Sequence, residues 1–580
     1  MLRYLKRYWY FVLLAPLFMV GEVLMDLAQP QLMSTIVDEG VLGLSNHNVG
    51  DLKLVIMTGL KMIGLVTIGG ICGVLSGVFA NLCSQNFGND IRKDCFKRIM
   101  ALSFEQTDRF STGSLVTRVT NDITQVQNMV AMCIRGFVRN IMLFGGGIVC
   151  MLTLNLSFGA VIACALPFVI FMVIFFIAKA NPIFAVLQKK LDRVNSVMQE
   201  NVSGSRVVKA YVREDYEKKR FGTANKELVD TQLRVLVLFS CMMPLMNIVM
   251  NLSVVAVIYV GSVQVKSGGA TPGNVMAAIT YVSQILNGIM MMAMVFQNIS
   301  RGTASARRLN EVLECEPVIA DGKQEIRTDI RGKIEFRDVS FSYPGGNGES
   351  VLSHINLTVE PGETLAILGA TGSGKSSLVN LIPRFYDPAE GTVLVDGVDV
   401  KEYPLKVLRD KVAIALQKSE LFSTTIRENI SWGRQGASDG EIRKAAEAAQ
   451  ASEFIESKQS GYDTVVAEKG MSLSGGQKQR LSISRALLKD AEILIFDDST
   501  SALDLKTEAR LYQELRSHYA DVTKIIIAQR IASVKGADRI AVIDNGTIAA
   551  LGTHEELMRS SEVYQDIYNS QLKGGADHEQ

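Results

Sequence analysis

Residues 369–376 read Gly-Ala-Thr-Gly-Ser-Gly-Lys-Ser, a spacing of glycine, lysine and serine that suits the binding of phosphate groups. The run lies between Thr364–Leu368, which is typical of a buried strand, and the helical pattern Ser377–Ile382. Glycines let backbone N–H groups approach phosphate oxygens, and the helix N-terminus adds its dipole. We expect Lys375 to reach the β- and γ-phosphates of a nucleotide and Ser376 to ligate Mg²⁺. The predicted nucleotide ligands of this loop are Gly369, Thr371, Gly372, Ser373, Gly374, Lys375, Ser376 and Ser377.

Two adjacent carboxylates follow a later apolar run, Ile493–Phe496. Apolar residues that end in an acid predict a buried strand that delivers Asp497 to the metal, and Asp498 then occupies the position that polarises an attacking water. Any buried strand that reaches a surface acid would show the same pattern. The acid pair alone is a weak signal, but it becomes specific in combination with the phosphate loop upstream. Together the two motifs predict a nucleotide-binding domain.

Charge divides the chain of 580 residues into two regions. Residues 1–320 hold 29 Lys and Arg against 20 Asp and Glu, whereas residues 321–580 hold 31 against 39. The near-neutral total of +1 gives no electrostatic argument for nucleic-acid binding. We predict a transmembrane domain over 1–315, a linker over 316–330 and a nucleotide-binding domain over 331–575.

Long stretches without Asp, Glu, Lys or Arg predict membrane spans in the first region. A helix needs about 20 apolar residues to cross the hydrocarbon layer. The stretch 140–178 therefore holds two spans with a turn near Thr153–Ser157, and Tyr8–Gln29 makes another. A buried soluble helix could explain one such run but not the six that result. The uncharged stretches are 62–89, 140–178, 235–265 and 267–300.

Basic residues set the expected orientation of these spans. They precede the first span and are frequent in 90–139 and 179–234, whereas the other connections are short or carry few of them. The positive-inside rule places the basic segments in the cytoplasm, and six spans return the chain there near Arg301. We predict a multi-pass protein of a bacterial plasma membrane with cytoplasmic N- and C-termini.

The run Leu473-Ser474-Gly475-Gly476-Gln477 lies between the phosphate loop and the strand acid. With these motifs and six spans, the chain resembles the ATP-binding cassette (ABC) exporters over nearly its whole length. The resemblance implies an α-helical six-span transmembrane domain fused to an α/β P-loop nucleotide-binding domain. It also implies ATP and Mg²⁺ as cofactors, and two cassettes that sandwich two ATP molecules. The signature residues that would contact a partner's ATP are Ser474, Gly475, Gly476 and Gln477.

The resemblance gives further residues a role. Tyr343 would stack on adenine, and Gln417 would touch Mg²⁺ and the attacking water; a strand tyrosine and a solvated loop glutamine are the ordinary alternatives. Other segments would dock the two domains on each other or cross the dimer interface. They are Ser111–Gly113, Thr120–Asp122, Gly204–Tyr211, Glu468–Gly470 and Ser501–Asp504.

Two residues depart from the family pattern. Asp498 stands where the family has Glu, and its carboxylate reaches roughly 1–1.5 Å less far; misplacement on that scale can cost on the order of 10²-fold in rate. Gln529 stands where the family has His, and it can hydrogen-bond a γ-phosphate but has no imidazole. We predict a site that binds ATP and hydrolyses it slowly. The residues in catalytic roles are Asp498, Gln529 and Gln417, and the metal ligands are Ser376, Gln417 and Asp497.

An intact Ser474–Gln477 is of use only if it completes a competent site, so we infer a heterodimer. Its second ABC half-transporter would carry the glutamate and the histidine, and this chain's own site would be degenerate. The pair would be an ATP-hydrolysing exporter. The alternatives are a slow homodimeric lipid flippase and a regulatory or channel-like membrane subunit that binds ATP without transporting.

The spans hint at the substrate. Glu22 and Asp26 are four residues apart on one face of the first span, where charge is costly and suggests function. They could attract cationic amphiphiles, or they could form hydrogen bonds between helices. The sixth span is rich in methionine, which suits adaptable surfaces. These features favour amphipathic drugs or lipids within the bilayer over a small hydrophilic substrate.

Overall fold

The computed structural model describes residues 1–44, 49–322, 329–343 and 349–576. The chain packs as two units. We call Met1–Met100 with Gly113–Cys315 the membrane unit, and Ala101–Thr112 with Glu316–Gln580 the cassette unit. The short segment 101–112 thus interrupts the membrane unit in sequence and packs with the cassette unit in space.

Among the described residues, six helical stretches are long and apolar enough to cross a membrane, which confirms the predicted count. They are Trp9–Val41, Leu52–Ala101, Thr112–Leu154, Leu156–Ser203, Glu214–Lys266 and Pro272–Leu313. The helices before residue 316 are α1 (Leu2–Lys6), α2 (Trp9–Thr35), α3 (Leu52–Ala101), α4 (Phe104–Phe110), α5 (Thr112–Thr117), α6 (Ile123–Ala131), α7 (Val138–Leu154), α8 (Leu156–Ser203), α9 (Ser205–Ala210), α10 (Glu214–Lys266) and α11 (Pro272–Leu313). Three π-helical segments join or extend them: Ile36–Val41, Arg118–Asp122 and Met132–Phe137.

Local signals explain where the long helices begin. The Asn155 side chain accepts a 2.8 Å hydrogen bond from the Ser157 N–H and starts α8 directly after α7. Thr271 caps α11 in the same way, and Pro272 occupies the first helical position, where its missing N–H costs nothing. Within the core, the buried Tyr281 hydroxyl donates to the Leu27 carbonyl at 2.6 Å.

The part of the cassette unit that the structure describes contains two sheets. The four-stranded sheet is antiparallel in the order β2-β1-β4-β5, and the six-stranded sheet has the order β10-β9-β3-β8-β7-β6, parallel except for β10. The strands are β1 (Ile334–Phe341), β2 (Leu352–Val359), β3 (Thr364–Leu368), β4 (Glu390–Val395), β5 (Val398–Asp399), β6 (Val412–Ala415), β7 (Ile493–Asp497), β8 (Thr523–Ile527), β9 (Arg539–Asp544) and β10 (Thr547–Gly552).

Alternate residues of the parallel strands feed two hydrophobic cores. Leu494 and Phe496 of β7 belong to one core, and Ile493 and Ile495 belong to the other. A strand that is buried on both faces has a continuous apolar sequence. For this reason β7 could be predicted from the sequence. The cassette helices are α12 (Lys375–Leu381), α13 (Leu405–Lys411), α14 (Ile426–Ser431), α15 (Asp439–Ala448), α16 (Ser452–Glu456), α17 (Gly475–Leu488), α18 (Leu505–His518), α19 (Ile531–Val534), α20 (His554–Ser560) and α21 (Glu562–Ala576).

The predicted fold class is therefore confirmed: a six-span helical domain is fused to an α/β nucleotide-binding domain. The carboxyl ends of β3, β7 and β8 lead into the phosphate loop, the paired acids and the residues around Gln529. Neighbouring parallel strands place these three loops at one edge of the sheet.

Candidate functional site

The phosphate loop joins β3 to α12 through backbone that only glycine adopts freely. Gly374 is the N-cap of α12 with φ of +100°, and a Cβ there would lie 2.9 Å from the Val351 carbonyl oxygen. Gly372 has φ of +86°, and no heavy atom lies within 4 Å of the position its Cβ would take. Gly374 is thus held against its neighbours, whereas the space beside Gly372 is free. That free space lets a phosphate approach the loop closely.

The Lys375 ammonium is held inside this loop. It donates hydrogen bonds to the carbonyl oxygens of Gly369 at 2.9 Å and Ala370 at 2.6 Å. Burial lowers the pKa of Lys375, and the nearby carboxylates of Asp497 and Asp498 oppose that shift. A bound anion would stabilise the charged form of this buried ammonium. The anion would replace the lost solvation and accept hydrogen bonds from the ammonium.

The strand acid meets the phosphate loop. The Ser376 hydroxyl donates a 2.7 Å hydrogen bond to the Asp497 carboxylate, which is 4% exposed at the end of β7. Burial raises the pKa of Asp497, and the hydrogen bond from Ser376 lowers it. A hydroxyl and a carboxylate side by side form the oxygen donor set that Mg²⁺ prefers, so these residues fit the metal that the sequence predicts.

The Asp498 carboxylate lies between two side-chain amides. Gln417 and Gln529 both donate to the same oxygen, Oδ2, at 3.1 and 2.9 Å. Asp498 has φ of +48°, a left-handed conformation that Asp tolerates better than most residues. The structure therefore brings together the three residues to which the sequence assigned catalytic roles.

Tyr343 lies beside the phosphate loop. Its hydroxyl and that of Ser377 are 2.9 Å apart, and its ring packs edge-on against Tyr386 with centroids 5.3 Å apart. The ring remains 39% exposed, so part of its surface is available for stacking on a base.

The signature residues form the N-terminus of α17. Ser474 is the N-cap, and it exchanges hydrogen bonds with Gln477 in a capping box. Ser474 and Gly475 are exposed, so this helix N-terminus faces away from the core. Ser474 therefore both starts the helix and presents a hydroxyl at its positive end.

One residue of α17 ties the signature to the loop after the paired acids. The Gln479 side chain accepts a 2.8 Å hydrogen bond from the Ala502 N–H and donates to the Ser501 hydroxyl at 3.2 Å. The same helix reaches the Glu468–Gly470 turn, because Lys478 donates to the Lys469 carbonyl at 3.0 Å. The sequence analysis missed Gln479, since no local pattern distinguishes it from other helical glutamines.

A second missed residue, Gln571, reaches the catalytic region from α21. Its amide nitrogen donates to the Gln529 carbonyl at 2.7 Å, and its amide oxygen accepts from the Ile531 N–H at 2.9 Å. The backbone on both sides of Arg530 is thereby fixed by one side chain. Only the fold reveals this contact, because Gln571 lies 42 residues beyond Gln529.

The segment 101–112 packs on the cassette unit near the nucleotide site. Phe104 lies against Phe385 with ring centroids 4.5 Å apart, and the Tyr386 hydroxyl donates to the Asp108 carboxylate at 2.9 Å. Tyr386 in turn touches Tyr343. A continuous set of contacts thus joins this segment to the phosphate loop.

The two acids of the first span are engaged by an arginine of the membrane unit. Arg139 of α7 forms ion pairs with Glu22 and with Asp26, the latter at 3.3 Å. The structure thus contains the contact between helices that the sequence left open as the alternative to substrate binding. Arg139 is the residue just before the uncharged stretch 140–178, and this position was the only signal for it.

Comparison with known proteins places this geometry in a family. Residues 12–290 match the ABC transporter transmembrane region, and residues 352–501 match the ABC transporter model. An uncharacterized ABC transporter ATP-binding protein of Bacillus subtilis, YfiB, is 39% identical over 573 residues, 98% of each chain. An ATP-dependent lipid A-core flippase of Desulfotalea psychrophila is 38% identical over 500 residues, 84% of this chain and 85% of the flippase.

A solved structure shows the same arrangement of helices and sheets. The structure of a bacterial Atm1-family ABC exporter with ATP bound covers 98% of each chain with a TM-score of 0.78 and 26% identity. The fold of this chain, over both its membrane and its cassette regions, is thus found in an exporter of known structure. The chain belongs to the ABC transporter family, as an exporter-type half-transporter with one membrane domain and one ATP-binding domain.

Proposed function

We propose that this chain is one subunit of a heterodimeric ATP-driven exporter that moves amphipathic compounds out of the cytoplasm of a bacterial cell. Both termini lie in the cytoplasm, and ATP binding closes the two cassettes and switches the spans between inward-facing and outward-facing states. The observation that carries the proposal is the Asp498 carboxylate with Gln417 and Gln529 on one oxygen. A short carboxylate between two amides is a poor base for activating water.

In this proposal the chain's own residues bind and orient ATP. Lys375 and the loop N–H groups hold the phosphates, Tyr343 stacks on the base, and Ser376, Asp497 and Gln417 hold Mg²⁺. The metal supplies charge neutralisation on the β- and γ-phosphates when it is bound. Ser474–Gln477 completes the partner's site, where hydrolysis resets the cycle.

The test is to purify this chain alone and with the half-transporter encoded beside it. We expect ATP binding but little hydrolysis from the chain alone, and robust hydrolysis from the pair. Ser474→Ala in this chain should then reduce the activity of the pair strongly. Full ATPase activity from this chain alone, or a pair that is indifferent to Ser474→Ala, would contradict the proposal.

Replacing the capping serine also costs helix stability, roughly 1 kcal/mol. Thr553→Ala is the matched control, because Thr553 forms the same capping box at α20. We expect this control to lower stability similarly and to leave the activity of the pair unchanged.

A homodimeric lipid flippase is the second candidate, and the similarity to proteins named lipid A-core flippase favours it. In that case the chain alone would hydrolyse ATP slowly, and vesicles that contain only this chain would translocate a labelled lipid when ATP is added.

A further inference from the structure

One acidic side chain lies buried in the cassette unit behind the paired acids. Glu508 of α18 is 4% exposed, and no ion pair reaches it from any residue in the part of the chain that the structure describes. A buried charge without a cation is costly to the fold, and an apolar side chain of similar size would often give equal or greater stability. The carboxylate at this position therefore points to a role other than stability.

Two hydroxyl groups from separate loops meet on one oxygen of this carboxylate. Thr500 donates to Glu508 Oε1 at 2.7 Å, and Ser533 donates to the same atom, also at 2.7 Å. The Tyr512 hydroxyl lies 3.2 Å from that of Thr500. Because the Thr500 hydrogen is directed at Glu508, Tyr512 is the donor in this further bond. Burial raises the pKa of Tyr512, so the phenol keeps its hydrogen at neutral pH.

The two hydroxyls that Glu508 binds lie close in sequence to the residues with predicted catalytic roles. Thr500 is two residues after Asp498, in the turn that follows β7, and Ser533 is four residues after Gln529, in the short helix α19. The turn is closed by a further bond, because the Ser501 hydroxyl donates to the Asp498 carbonyl at 3.0 Å. A displacement at Thr500 is therefore transmitted to the backbone of Asp498.

The loops of Asp498 and Gln529 are thus joined at two places. Their side chains meet in the 2.9 Å hydrogen bond described above, and the segments that follow them meet again at Glu508. A single acceptor atom for both hydroxyls restricts how far the two segments can move apart. Displacements on the scale of 1 Å can lower the rate of a chemical step by about 10²-fold, so this restriction matters for hydrolysis.

We propose that Glu508 is a positioning residue for ATP hydrolysis, which holds the loop of Asp498 and the loop of Gln529 in a fixed relation to each other. It acts on the reacting groups through Thr500 and Ser533. The inference rests on the proposed function only for the assignment of Asp498 and Gln529 to hydrolysis.

Single-turnover cleavage of ATP separates positioning from binding. The full-length chain in nanodiscs, in excess over Mg-ATP radiolabelled in the γ-phosphate, is compared with Glu508→Met, which keeps the length of the side chain and removes the acceptor. We expect the cleavage rate to fall about tenfold, because Asp498 and Gln529 lose their alignment. The ATP dissociation constant should stay nearly unchanged, because Lys375 and the phosphate loop are untouched. Glu508→Gln should retain most of the rate, since its amide oxygen still accepts from both hydroxyls.

Hydrogen exchange without nucleotide tests the link between the two loops. Ser533→Ala removes the hydroxyl on the Gln529 side, and we expect exchange to accelerate about fivefold across residues 498–504, on the other side of Glu508. Thr523→Val is the control, because Thr523 is also buried and its hydroxyl donates to the Gly332 carbonyl at 2.7 Å, at the opposite end of β8 from Gln529. This control should leave exchange in 498–504 unchanged.

Either of two results would overturn the proposal: cleavage of ATP by Glu508→Met at the wild-type rate, or exchange in 498–504 that does not respond to Ser533→Ala. The cleavage comparison is a ratio within one chain, so fast hydrolysis by the chain alone would contradict the heterodimer and leave the test of Glu508 intact. If the chain cleaves ATP too slowly to measure, the exchange experiment decides, because it needs no nucleotide. Failure of the proposal for Glu508 would likewise leave the heterodimer untouched, since that depends on Ser474.

Discussion

Gln529 donates the hydrogen of its side-chain amide to the Asp498 carboxylate at 2.9 Å. Gln417 donates to the same oxygen at 3.1 Å, so one oxygen of the carboxylate accepts two amides. That oxygen is less available to take a proton from a water molecule. The two residues that depart from the family pattern, Asp498 and Gln529, therefore act on each other directly.

Lengthening this carboxylate should restore hydrolysis. We expect Asp498→Glu to raise the ATPase rate of the isolated chain by about 10- to 100-fold, because reach on the scale of 1 Å governs such rates. Phosphate release at saturating Mg-ATP measures it. Adding Gln529→His should raise the rate further, and adding Lys375→Ala should abolish the gain. An unchanged rate in the single and double variants would mean that the slow step lies elsewhere.

The contact from α21 should matter for nucleotide binding. Gln571→Ala removes both hydrogen bonds to the backbone beside Arg530, and we expect the ATP dissociation constant to rise about three- to tenfold, since each bond contributes about 1 kcal/mol. Gln565→Ala on the same helix is the control, because Gln565 donates to the Met558 carbonyl instead. Equal effects of the two variants on ATP binding would show that α21 acts only through stability.

Docking of the segment 101–112 should depend on one hydroxyl. Tyr386→Phe deletes the hydrogen bond to Asp108 and retains the ring, so we expect hydrogen exchange in 101–112 to accelerate about fivefold, as about 1 kcal/mol predicts. Tyr403→Phe is the matched control, because that hydroxyl donates to the Val395 carbonyl inside the cassette unit. Exchange in 101–112 that is unaffected by Tyr386→Phe would refute the role of this bond.

The pairing of Arg139 should be a stability feature. Arg139→Met leaves Glu22 and Asp26 without a cation; because the Arg139 side chain is 36% exposed, the cost lies between that of an exposed pair and that of a buried pair, about 1–3 kcal/mol. We expect a fall in melting temperature, partly reversed by adding Glu22→Gln and Asp26→Asn. Arg135→Met should melt like wild type because Arg135 has no ion pair among the described residues. Similar melting of both arginine variants would argue against this assignment.

Much of the site could be predicted from the sequence because its motifs are contiguous. The phosphate loop, the acids at the end of β7 and the capped start of α17 each depend on residues that are neighbours along the chain. Periodicity and charge spacing were likewise enough to find the six spans, because the bilayer imposes length and composition on each span separately.

Contacts between residues that are far apart along the chain could not be predicted from the sequence. Asp108 and Tyr386 are 278 positions apart, and Glu22 and Arg139 are 117 apart. The spacing of Glu22 and Asp26 placed both acids on one helical face, but it could not identify the arginine that faces them. Because that arginine neutralises one of the two acidic charges, the substrate class was the part of the prediction that most needed the fold.

The membership of residues 101–112 in the cassette unit has a practical consequence. A fragment that begins at Glu316 would leave behind Phe104 and Asp108, so Phe385 and Tyr386 would lose the partners that cover them. Such a fragment would carry a new apolar patch and would tend to aggregate. Conversely, after a single cut following Cys315, the ATP-binding fragment would remain noncovalently bound to the membrane fragment, because residues 101–112 of that fragment pack with the cassette unit.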